Sequence, residues 1–159
     1  YRFHDGLSML YYLRGLEINT PALERRDSYR QAEKAAIEVV KRAPAQPEAW
    51  QRIATVRALL RDEPQAVIGA GRMSVYTGRT LSTLLVPRVG VGIRYLEHMD
   101  PETRSMLRDQ LLLAADQNTR ALVAELRRSD PGMNKTRALI AASHSTVFAE
   151  LEARVAQAR

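Results

Sequence analysis

Large apolar residues return along this chain at steps of three and four, and no stretch alternates strictly with polar ones, so the pattern predicts helices throughout. A first helix is expected from an Asp5 cap to about Glu17, with Leu7, Leu10, Tyr11, Leu13 and Leu16 facing inward. Asn19-Thr20-Pro21 separates it from a second helix, about Pro21 to Arg42, whose inward stripe reads Tyr29, Ala32, Ala36, Val39 and Val40. Pro44 and Pro47 bracket a tight connection to a third helix, Glu48 to about Leu60. Asp62-Glu63-Pro64 then places a proline in the first turn of a fourth, where its missing N–H costs nothing. That helix should run to about Tyr76 and end at Gly78, read as a left-handed cap.

The second half continues in the same period. Leu81, Leu85, Val89, Gly92 and Leu96 form one stripe, which Pro87 should kink or split. Asp100-Pro101-Glu102 is a helix start: the aspartate caps, the proline takes the first position and the glutamate suits the dipole. Leu107, Leu111 and Ala114 then face inward. Leu122, Val123 and Leu126 carry a short helix that Ser129-Asp130-Pro131-Gly132 stops. Asn134 is expected to cap one final helix in which Ile140, Val147, Phe148, Leu151 and Val155 share a face. The expected fold class is all-α, with seven or eight helices in a single domain spanning residues 1–159.

Composition narrows the function more than the fold. The 159 residues carry 24 basic and 18 acidic side chains, a net +6, and no cysteine, which removes disulfides, thiolate metal sites and Cys nucleophiles. Acids are interleaved with the bases throughout, and the longest basic runs are the pairs Arg25-Arg26 and Arg127-Arg128. A phosphate-binding face would gather its cations into a stripe, so a basic helical nucleic-acid-binding module stands only as the alternative reading. Arginine far exceeds lysine and alanine is abundant, a bias of GC-rich bacterial coding. No window of about 18 apolar residues occurs, so a membrane helix could stand only upstream of Tyr1.

Catalytic chemistry finds little footing. His4, His98 and His144 lie at no metal-ligand spacing, and no second ligand set replaces the missing cysteines. Gly90-Val91-Gly92 has Tyr95 where a dinucleotide fingerprint needs glycine, and no strand precedes it. None of Lys34, Lys41 and Lys135 follows a glycine-rich loop. The expectation is no catalytic residue, no cofactor and no metal site.

One internal period carries weight. In a 34-residue unit counted from Pro47, Trp50 falls at the fourth position, Ile53 at the seventh, Ala54 at the eighth and Ala66 at the twentieth. Ala32 and Pro44 take the twentieth and thirty-second positions of the preceding unit. This resembles the tetratricopeptide repeat, in which large groups at four and seven fill the hairpin groove and small ones at eight and twenty admit close helix approach. The resemblance covers about residues 25–80, followed by a C-terminal helical extension over 81–159. It departs at Arg57 and Arg61, where the repeat has an aromatic and a glycine. The arrangement of Pro44-Ala45-Gln46-Pro47-Glu48-Ala49-Trp50 with Leu96 to Arg104 is similar to small membrane-anchored, TPR-like envelope proteins of alphaproteobacteria.

The resemblance implies helical hairpins stacked as a short solenoid, a periplasmic body behind an unseen N-terminal membrane anchor, and a link to envelope polysaccharide export. It also implies a partner groove lined by Glu48, Gln51, Thr55, Ala58 and Leu59, with Trp50, Ile53, Ala54, Ala66, Ala32 and Pro44 packing the repeat. The expected function is a non-catalytic protein–protein interaction or scaffold subunit whose partner is a membrane complex or its subunit. Self-association is expected through the C-terminal helix, by Phe148, Leu151 and Val155. The aromatic N-terminus (Tyr1, Phe3, Tyr11, Tyr12) suits either a membrane interface or the cap of the first hairpin.

Overall fold

The computed structural model describes residues 1–157, which form nine α-helices, one short 3-10 turn and no strand. The chain divides into two compact units, Tyr1–Arg79 and Thr80–Arg159, the junction falling where the repeat-like region ends. Among the described residues no helix is long and apolar enough to cross a membrane.

The first unit is a stack of two helical hairpins. Helices α1 (Arg2–Leu16) and α2 (Ala22–Arg42) form one, and α3 (Pro47–Leu60) and α4 (Pro64–Thr77) the other, with α2 packed on α3. The inward stripe of α2 is as its spacing predicts: Tyr29, Ala32, Ala36, Val39 and Val40 are all buried. Ala32 and Ala54 are fully enclosed, and their missing bulk lets the helix axes approach. An ion-pair network reinforces the α2–α3 seam. The Arg30 guanidinium donates to both Asp62 carboxylate oxygens at 2.8 and 2.9 Å, and Glu33 accepts from Arg30 at 3.0 Å and from Arg57 at 2.7 Å. Arg57 also donates to the Ala66 carbonyl, so the departure from the repeat's aromatic ties three helices by hydrogen bonds.

Two terminations differ from expectation. Gly78 is extended (φ −166°), not left-handed, and lies tightly against the Pro47 ring. The left-handed position in this unit is Arg61 (φ 58°, ψ 42°), which caps α3 with a side chain where the repeat has glycine.

In the second unit, α5 (Ser82–Arg94) packs on α6 (Pro101–Gln117) and α7 (Thr119–Ser129), and α9 (Ser145–Gln157) packs on α7 and α8 (Asn134–Ile140). Leu85, Val89, Ile93, Leu111, Leu122, Leu126 and Ile140 form the center of its core. Pro87 neither splits nor ends α5. Its ring is exposed and the lost hydrogen bond falls early in the helix, while Leu85, Val89 and Ile93 hold the rest against the core. Asp100 caps α6, accepting from the Thr103 N–H at 2.7 Å.

The expected single C-terminal helix is two. The Ser143 and His144 N–H groups both donate to the Ile140 carbonyl, closing α8, and the Ser143 hydroxyl meets His144 Nδ1 at 2.8 Å. Nor does Asn134 cap α8: Asp130 does, accepting from the Thr136 N–H at 2.7 Å and its hydroxyl at 2.8 Å. Both residues are buried, so Asp130→Ala strands two donors and should cost about 2 kcal/mol in urea denaturation. Asp130→Asn keeps an acceptor and should lose about half as much; equal losses would refute the cap. Phe148, Leu151 and Val155 lie in this core, so the face expected to mediate self-association is covered within the chain itself.

Candidate functional site

The predicted groove is only partly open. Along α3, Glu48 and Leu59 are exposed, Thr55 and Ala58 are half-buried, and Gln51 is buried. The Gln51 side-chain amide donates to the Thr55 hydroxyl at 3.3 Å, while its buried carbonyl oxygen has no partner. The repeat-packing residues also separate. Ile53, Ala54 and Ala32 are enclosed, Ala66 is half-buried and Pro44 is exposed. Trp50 is half-buried rather than in the core, and its indole N–H donates to the Pro44 carbonyl at 2.7 Å, clasping the α2–α3 connection.

The conspicuous surface of this unit is α1, where Leu10, Leu13 and Leu16 of the predicted inward stripe are exposed, while Leu7 and Tyr11 are half-buried and Tyr11 packs against Tyr29, Ala32 and Val56. Asp5, Ser8, Tyr12 and Gly15 recur at steps of three and four, and these small or polar residues face the rest of the unit. The Ser8 hydroxyl donates to the Ala32 carbonyl, and Asp5 accepts from Arg52, both at 2.8 Å. The Tyr29 hydroxyl donates to the Gly15 carbonyl, also at 2.8 Å. Burial pushes the phenols of Tyr29 and Tyr12 above the ordinary range, keeping both neutral. Gly15 has no β-carbon to keep the Tyr29 ring away.

With that face inward, Phe3, Leu10, Leu13 and Leu16 point to solvent, as do Ile18 and Leu23 beyond the helix end. Phe3 is 76% exposed, Leu10 67% and Ile18 93%. Eight of the ten exposed large apolar side chains lie within residues 1–23. Scattered exposed leucines are ordinary, but a contiguous stripe along one helix marks an interaction surface. Period-reading finds both stripes of α1 and assigns the larger residues inward; the signal for the true orientation was Ser8 and Gly15, seven residues apart and able to admit α2.

A second feature lies between the start of α2 and the end of α3. A cleft of about 330 Å³ is lined by Ala22, Arg25, Arg26, Tyr29, Leu59, Leu60 and Arg61. Arg25 donates to the Thr20 carbonyl at 3.1 Å, and its Nε is buried without a partner. Residues 25 and 61 are far apart in sequence, so no motif reading could join them.

Among the described residues no three His, Asp or Glu side chains converge as a metal site. No family model, curated protein or solved structure matches the chain.

Proposed function

We propose that this chain is a non-catalytic interaction subunit that holds a protein partner against the outer face of α1. The observation that carries this reading is the set of exposed apolar side chains Phe3, Leu10, Leu13 and Leu16 on a helix whose opposite face is already packed. A helix that packs its small and polar face inward leaves its apolar face for a partner to cover. An amphipathic partner helix suits a straight stripe at helical spacing. Leu59 of α3, also exposed, stands as a secondary contact from the groove reading. The resemblance of residues 25–80 to the tetratricopeptide repeat, together with the likeness to envelope proteins, supports placing that partner in a bacterial membrane-associated assembly, with this chain on the periplasmic side. An envelope polysaccharide-export complex is the specific assembly proposed.

The test is affinity isolation of the full-length protein from its native membranes, comparing wild type, Leu10→Glu/Leu13→Glu and Leu59→Glu. The expected result is one stoichiometric membrane protein, lost by at least about tenfold in the double variant and retained by Leu59→Glu. Loss in Leu59→Glu alone would move the contact to α3. Recovery of nucleic acid that high salt removes would replace this reading with the nucleic-acid module.

A further inference from the structure

The cleft at the start of α2 is built like a receptor for an anion. We propose that Arg25, Arg26 and Arg61 bind a phosphate monoester, its phosphate held by the guanidinium groups and its organic body resting on Leu59, Leu60 and the Tyr29 ring. Three observations converge. First, all three arginines lack a carboxylate partner among the described residues, in a unit whose other buried or seam arginines, Arg30, Arg52 and Arg57, each have one. Of the acids adjoining the cleft in sequence, Asp62 is engaged by Arg30 and Glu24 by Arg14, while Asp27 and Glu63 form no ion pair with the three arginines and do not line the cleft. Three uncompensated cations in one cleft suit a dianion better than a monoanion, and the guanidinium fork matches phosphate oxygens.

Second, the Arg25 guanidinium is anchored at one nitrogen to the Thr20 carbonyl, leaving its buried Nε–H without an acceptor. A buried donor on a charged group is costly to leave unpaired, and an anion on the same guanidinium would offset that cost by compensating its charge. Third, Arg61 keeps a β-branchless but bulky side chain in the left-handed region, where glycine would be relaxed. Backbone strain of this kind clusters at ligand sites, and here it lies at the cleft. The volume of about 330 Å³ admits a small ring as well as the phosphate, at the lower end of ligand-pocket sizes.

The test follows the arginine Nε–Hε resonances of the full-length protein by NMR during titration with phenyl phosphate, inorganic phosphate and benzoate at constant ionic strength. The Arg25 Nε–Hε signal should shift saturably with phenyl phosphate, which should bind more tightly than the other two probes. Arg61→Gly should weaken phenyl phosphate about tenfold while its thermal midpoint equals or exceeds that of wild type, because the strain is removed. Arg26→Gln, on the exposed side of α2, should weaken it without changing stability. An Arg25 signal unmoved at saturating millimolar phenyl phosphate would overturn the site, as would undiminished binding by Arg61→Gly. Equal affinity for inorganic phosphate would overturn the role of the apolar wall, and tighter binding of benzoate the choice of phosphate.

Discussion

Truncating Leu111 to alanine should destabilise the second unit by about 3 kcal/mol, more than truncating either neighbouring leucine. Leu111, Leu112 and Leu113 are consecutive on α6, so they differ mainly in the direction the helix points them. Leu111 is fully enclosed among Leu85, Leu122, Leu126 and Ile140, whereas Leu112 and Leu113 are half-buried. Removing its side chain forfeits both the transfer free energy and the contacts that a rigid wall of helices cannot restore. Leu112→Ala has solvent on one side and should cost about half as much. Urea denaturation of the three variants ranks them. If Leu112→Ala proves as damaging as Leu111→Ala, the orientation of α6 given above is wrong.

A pair of glycine replacements on α1 should move stability in opposite directions. At Gly15 an added β-carbon would lie 2.6 Å from Tyr29 Cδ1 and 3.0 Å from Cζ, inside any real contact, and nearer still to Cε1. The Tyr29 ring is 6% exposed and packed with Ala32 and Val56, so it can retreat only by opening that cluster and loosening its hydrogen bond to the Gly15 carbonyl. Alanine's better helix propensity offsets up to about 1 kcal/mol, so the net loss for Gly15→Ala should be about 2 kcal/mol. Gly6, on the outer face of the same helix, has nothing within 4 Å of the new atom. Gly6→Ala therefore keeps only the propensity term and should stabilise by about 0.5–1 kcal/mol. Thermal unfolding of both variants decides the matter: stabilisation by Gly15→Ala would mean that α1 does not pack through its Ser8–Gly15 face. Gly6→Ala also leaves the outward stripe in place, so it should not weaken the partner contact proposed for Leu10 and Leu13.

Particular residues show where sequence reading succeeds and where it stops. Asp100-Pro101-Glu102 was legible because a cap, a first-turn proline and the dipole act within one turn, and Asp100 makes that bond. The stripe of α2 was legible because its apolar residues are confined to one side and charged ones cover the rest. In α1 the same rule misled: two stripes compete, and the choice between them depends on the shape of α2, above all on the Tyr29 ring seeking Gly15. Trp50 looked like a core residue by its repeat position, yet its indole N–H needs an acceptor and finds it at the Pro44 carbonyl. At Asn134 the local signal for a cap lost to Asp130, four residues earlier, because the turn at Pro131-Gly132 and the left-handed Met133 bring that carboxylate back over the helix start.

The sequence by itself determined the helical class, most helix boundaries, the inward faces of α2 and α6 and the absence of thiol chemistry, because helical period, capping and composition act over a few residues. Tertiary structure alone decided which face of α1 is outside and that Arg25, Arg26 and Arg61 share one cleft. Each of those depends on which surfaces meet across long stretches of chain, and steric fit between helices, unlike periodicity, has no local signature.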